Sequence, residues 1–135
     1  MIPDKSRRLR KTRPVRVRGI RGAITVPANT AEHILGATRE LLGIMQERNG
    51  FQPEDVSFVI FSVTHDLDAT FPAEAARLMG WKLVPMLCTR EIPVPGSMPL
   101  CIRVLATVHT RRAPEEINHV YLGDAERLRP DLAAQ

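Results

Sequence analysis

The sequence predicts an α+β (or α/β) sandwich with helices on one face of a mixed sheet. Three observations carry this. Ile34, Leu35, Thr38, Leu41, Leu42 and Met45 recur at helical spacing. Val56 to Thr64 is a nearly continuous apolar run, the pattern of a buried central strand. In Leu100–Thr110 the alternate residues Ile102, Val104, Ala106 and Val108 form one apolar face. With the weaker segments included, the order is β-α-β-α-β-β-(turn)-β.

Taken in order, Val15 to Thr25 is a strand rich in β-branched residues and arginines, ended by Pro27. Gly19 and Gly22 within it predict a bulge or a close backbone approach. Asn29 is the expected N-cap of the long helix, with Glu32 completing a capping box and Asn49-Gly50 stopping it after about five turns. The strand at Val56 follows, then a polar turn from His65 to Thr70. Pro72 opens a short helix to Met79, closed by Gly80. Trp81 to Cys88 reads as the third strand, and Pro93, Pro95 and Gly96 mark a loop before the fourth. A helical turn at Pro114–Asn118 and a short last strand, His119–Leu122, complete the chain.

The 135 residues fit one compact domain. Hydrophobic content is 44% and aromatics only 4%, so the core should be aliphatic. A domain this size is often marginal alone, and an oligomer is in keeping with it. The net charge of +4 and the pI near 9.7 are misleading as averages. Residues 1–18 hold eight basic residues and one acid, a net +7, whereas the remaining eleven basic and fourteen acidic residues give −3. Basicity thus belongs to an N-terminal arm, residues 1–16, ahead of a single domain over 17–135. The arm has no aromatic residue to stack a base and no amphipathic period, so it is expected to be a disordered, solvated extension. No apolar segment of secretory type follows it, and the run Val56–Val63 is far too short to span a bilayer. Cys88 and Cys101 make a poor disulfide framework, which fits a reduced, cytoplasmic protein.

No phosphate-binding loop, dinucleotide fingerprint or zinc-protease motif is present. The four histidines share no metal spacing with the cysteines. His65, Asp66 and Asp68 lack the further ligands and turn glycine of a calcium loop. Ser57, Ser62 and Ser97 lack a nucleophile elbow. The unusual feature is arginine within apolar, strand-like segments: Arg21 and Arg103. A guanidinium fork suits carboxylates, so these two, with Glu91 on a loop, point to a site for a small dicarboxylate. Alternatively, each arginine pairs with a structural acid or faces solvent.

Seven stretches extend the argument: Val17-Arg18-Gly19-Ile20-Arg21-Gly22-Ala23; Asp66-Leu67 and Phe71-Pro72-Ala73 with Arg77; Trp81 with Val84-Pro85; Cys88-x-x-Glu91; Cys101-Ile102-Arg103-Val104; His119-Val120-Tyr121-Leu122; and Leu128-Arg129-Pro130-Asp131-Leu132. In this order and spacing they resemble the monofunctional chorismate mutases of the AroH type, over roughly residues 17–132. The resemblance implies a chorismate-mutase-like fold (ferredoxin-like, of the bacillus chorismate mutase kind), with a five-stranded mixed sheet and helices outside. It further implies a homotrimer whose three sheets pack into a pseudo-barrel, with active sites between subunits, and the rearrangement of chorismate to prephenate in aromatic amino-acid biosynthesis with no cofactor and no metal.

On that resemblance Arg21 grips a carboxylate with help from Tyr121, and Arg103 donates to the ether oxygen and a carboxylate. Glu91 and Cys88 hold the ring hydroxyl. Phe71, Ala73 and Leu128 are pocket walls, and Arg77 is a neighbouring position. Cys101 and Trp81 are expected to pack in the core. Some residues depart from the family pattern: Glu74 stands where relatives often have lysine, and Leu87 where some have threonine. The stretch between Arg77 and Trp81 is one residue shorter than in some relatives, and Gly123–Arg127 is more charged. Two alternative readings are a trimeric enamine/imine deaminase-like enzyme, whose C-terminal signature is absent, and a non-enzymatic protein binding nucleic acid through the arm. Neither a membrane nor a nucleic acid is the expected partner.

Overall fold

The computed structural model describes residues 12–133. The expectation for the basic arm falls mainly on residues 1–11, outside the described residues. Of the arm's last residues, Arg13 pairs with Glu116, and Arg16 already begins the first strand. Five strands form one mixed sheet: β1 (Arg16–Thr25), β2 (Val56–Val63), β3 (Met86–Arg90), β4 (Cys101–Thr110) and β5 (Val120–Leu122), in the order β3-β2-β4-β1-β5. β4 runs antiparallel to both β1 and β2, while β3 and β5 lie parallel to β2 and β1 at the edges. Helices α1 (Ala31–Asn49), α2 (Ala73–Leu78) and α3 (Pro130–Ala133) complete it with short 3₁₀ turns. No helix among the described residues is long and apolar enough to cross a membrane.

The helical period of α1 points Ile34, Leu41, Leu42 and Met45 inward. There they meet Ile20 and Ile24 of β1, Val59 and Phe61 of β2, and Ile102, Val104, Ala106 and Val108 of β4 in one aliphatic core. Because strand side chains alternate, the same strands turn Val17, Arg21, Phe58, Ile60, Arg103 and Leu105 to the opposite face. Among the described residues no helix covers most of that face, and Val17, Phe58 and Leu105 are exposed.

Two local expectations, the cap of α1 and the start of the third strand, are corrected, and the glycines of β1 are resolved in favour of close approach. The cap of α1 is Thr30, whose hydroxyl accepts from the His33 N–H at 3.1 Å. Asn29 instead clamps the β2–α2 turn, its side-chain oxygen accepting from the N–H groups of Asp68 and Ala69. β1 pairs with β4 through all ten residues without a bulge. Gly22 serves close approach: a Cβ there would collide with Met45 and stand 3.2 Å from Leu41 Cδ1. The sheet's irregularity lies in β2, between Val56 and Phe58. The third strand starts at Met86 rather than Trp81. The Trp81 N–H bonds the Ala76 carbonyl in the turn that closes α2, and Val84 bonds back to Trp81. Trp81 is buried edge-on against Phe51 at 5.9 Å, while Leu83 is 98% exposed.

Candidate active site

The uncovered face of the sheet brings Arg21 and Arg103 together. β1 and β4 are joined so that Ala23 faces Arg103 and Arg21 faces Leu105, which puts both arginines on one side, two pairs apart along the ladder with Gly22–Val104 between them. On the same side Ser62 lies opposite Arg103 and Tyr121 opposite Ala23. Arg21, Ala23, Ile60, Ser62, Arg103 and Tyr121 line a cleft of about 250 Å³. Glu91 follows β3 directly, with its N–H bonded to the Val63 carbonyl at 2.9 Å. Its carboxylate stands 3.5 Å from Arg103 Nε, the side chains being 27% and 47% exposed. Arg103 therefore pairs with another candidate site residue. Arg21 has no ion-pair partner among the described residues and leaves its guanidinium on the open face. Tyr121 is buried with Ala23, Cys101 and Ala125, against Leu128 and Leu132. Leu128 and Arg103 both border a larger cavity of about 790 Å³ toward the β3–β4 loop. Cys101 is a neutral core thiol: burial pushes its pKa up, although Arg103 pulls the other way.

The other predicted residues stand elsewhere. Cys88 lies beside Phe61 in the β2–β3 pairing and packs toward the helix-side core. With Phe71, Thr70 and Arg90 it lines a separate recess at the sheet edge. Phe71 is exposed just before α2, Arg77 is exposed on α2, and Ala73 sits in the core at the start of α2. Glu74 accepts from the Thr70 hydroxyl at 3.0 Å. Within one chain the candidates thus form two groups: Arg21, Arg103, Glu91, Tyr121 and Leu128, and, at the edge, Phe71 and Cys88; Arg77 and Ala73 lie on α2 outside both.

Sequence reasoning left out three residues near these groups. Ser62 belongs to the site face because Phe58, Ile60 and Ser62 alternate with the core residues Val59 and Phe61; the near-continuous apolar run concealed that alternation. Arg90 lines the Phe71 recess and carried no sequence signal beyond lying between Cys88 and Glu91. His119 accepts the Arg21 backbone N–H on its Nδ1 at 2.9 Å, and its pKa is lowered by burial first, then by Arg21 and Arg129. The turn aspartates are held by local hydrogen bonds: Asp66 accepts from the Thr64 hydroxyl and the Leu100 N–H, and Asp68 accepts from Asn29. His65 places Nε2 3.2 Å from the Glu91 carbonyl.

A five-stranded mixed sheet that presents two guanidiniums and a phenol on an apolar cleft, with a carboxylate beside one guanidinium, has the chemistry to hold a small anion. The comparisons narrow the class. A solved chorismate mutase from Clostridium thermocellum matches with a TM-score of 0.81 and 49% identity, over 82% of this chain and 98% of that one. The chain belongs to the chorismate mutase type I family, whose model matches residues 17–132. It is 58% identical over 117 residues to Chorismate mutase AroH of Thermus thermophilus, covering 86% of this chain and 96% of the relative. It is 48% identical over 118 residues to Chorismate mutase AroH of Bacillus subtilis (strain 168), covering 87% and 93%.

Proposed function

We propose that this protein is an isomerase that converts chorismate to prephenate at the Arg21–Arg103 face, as a cytoplasmic homotrimer. The observation that carries the reading is the convergence of two guanidiniums and Tyr121 on one apolar cleft, with Glu91 beside Arg103. In the reaction the ring carbon–ether oxygen bond breaks while the enolpyruvyl methylene bonds to the ring carbon that bears the carboxylate. Electrons move within one molecule, so no proton acceptor, nucleophile or metal has a step to perform. The protein's task is to hold the compact conformer and stabilise the charge that develops on the ether oxygen. Arg21, with the Tyr121 hydroxyl, grips a carboxylate. Arg103 donates to the ether oxygen and a carboxylate, Glu91 orients Arg103 and accepts from the ring hydroxyl, and Leu128 supplies an apolar wall.

The trimer explains the two groups. Val17, Phe58, Leu87 and Leu105 leave an apolar sheet face open in one chain, the kind of surface that marks an interface. A neighbouring copy packed on that face supplies its Phe71–Cys88 recess as the cleft's second wall, with Ala73 behind it in the core and Arg77 exposed on α2. The test is purified protein mixed with chorismate in the presence of a chelator. Chorismate absorbance decays and prephenate accumulates in equal amount. Turnover that stops with chelator and returns with a divalent metal overturns the mechanism, and a fully active monomer overturns the shared site.

A further inference from the structure

We propose that His119 is a positioning residue for Arg21: neutral, it accepts the Arg21 N–H on Nδ1 and so fixes the stretch of β1 from which Arg21 grips the substrate. The inference rests on the reading of Arg21 as the carboxylate-binding residue.

Three observations support it. First, β5 pairs with β1 only from Gly22 onward, opposite Val120. Arg21 lies one residue before that ladder, so no β5 carbonyl within the ladder meets its N–H. His119, the residue before β5, meets it with a ring nitrogen at 2.9 Å in place of a carbonyl. Second, His119 is itself held. The neighbouring Asn118 exchanges hydrogen bonds with the buried Asn49 side chain at the end of α1, its N–H donating at 2.8 Å and its carbonyl accepting at 2.8 Å. Asn118 Nδ2 also donates to the Arg48 carbonyl at 2.9 Å. The chain from α1 through Asn118 and His119 to Arg21 is therefore continuous. Third, the charges that act on the ring are cations, Arg21 from β1 and Arg129 from the C-terminal segment; Arg129 is itself paired with Asp131, and α1 presents the neutral Asn49 amide. Burial and both cations disfavour the imidazolium.

Accepting on Nδ1 requires the neutral ring with its proton on Nε2. Protonation places a hydrogen on Nδ1, breaks the contact and orphans the Arg21 N–H. Two effects then oppose each other. The added positive charge by itself tightens anion binding, and the lost contact loosens it. The sign of the pH dependence shows which one governs.

The experiment is kcat and KM for chorismate between about pH 5 and 8, for wild type, His119→Asn, His119→Ala and Arg21→Ala, each checked for native assembly. Asparagine places Oδ1 where the imidazole has Nδ1, so it keeps an acceptor that does not titrate. The substrate carboxylates, with pKa near 4, are ionised throughout. We expect wild-type kcat/KM to fall on acidification, with a one-proton limb below the ordinary histidine value of 6.5. Alanine raises KM roughly tenfold, the scale of one lost hydrogen bond, and flattens the limb. Asparagine also flattens the limb but recovers most of what alanine loses. A limb that persists in His119→Asn, a kcat/KM that rises on acidification, or a wild-type KM in His119→Ala overturns the proposal. Arg21→Ala with an unchanged KM instead overturns the role of Arg21, whatever His119 does.

Discussion

Replacing Arg103 with alanine separates catalysis from folding, because the two quantities it touches differ in scale. Among the described residues its ion pair is with Glu91, at 3.5 Å and with the two side chains 47% and 27% exposed. A half-exposed pair of that geometry contributes about 0–1 kcal/mol to stability. The developing charge on the ether oxygen sets a larger scale: loss of one neutral donor at such a position costs about 10²–10³ in kcat, or roughly 3–4 kcal/mol. Arg103→Ala is therefore expected to unfold within about 1 kcal/mol of wild type and to lose at least about a hundredfold in kcat. Arg103→Lys keeps the charge without the planar fork and recovers only part of the rate. Urea unfolding and saturation kinetics on chorismate measure both. A folded, normally assembled Arg103→Ala that keeps more than about a tenth of wild-type kcat, against the loss expected for a single donor, refutes the assignment.

Three further outcomes are expected. Gly22→Ala drives a methyl group into Met45 and destabilises by about 1–3 kcal/mol, and shortening Met45 to alanine in the same chain relieves part of that clash; urea midpoints of the single and double variants check it. Asp66→Ala leaves the Leu100 N–H and the Thr64 hydroxyl without their acceptor beside a leucine held at φ 50°, and costs about 1–3 kcal/mol by the same assay. His119 has its pKa lowered by burial, Arg21 and Arg129, so the folded protein binds fewer protons than the unfolded chain. Stability from this group is complete above 6.5 and is lost as pH falls from there toward the folded value; the urea midpoint of His119→Asn should drop less than that of wild type between about pH 7.5 and 5.5.

Much of the fold could be read from the sequence because single elements carry their own period. The inward residues of α1 and the alternation in β4 stand where the pattern puts them. The failures lie where tertiary contacts outrank local signals. Trp81, Leu83 and Val84 look like strand residues, but the close of α2 holds them in a turn. Asn29 and Thr30 are both good caps, and the turn at Asp68 claims Asn29. In the site, Arg21 and Arg103 were conspicuous as arginines among apolar residues. That they share a face depends on the register of strands some eighty positions apart, which no local pattern encodes. Cys88 reads naturally beside Glu91, three residues on, yet its side chain packs toward the helix-side core, while Glu91 lies past the strand end beside Arg103. His119 was visible as part of a motif, but its bond to a backbone N–H depends on where β5 begins.

The most direct test of the account is chorismate turnover by wild type beside the double variant Arg21→Ala/Arg103→Ala, under identical conditions with chelator present. Wild type is expected to convert chorismate rapidly to prephenate, and a folded double variant to leave chorismate decaying at the rate of buffer alone. A folded double variant that still turns chorismate over, or a wild-type protein no faster than buffer, would contradict it.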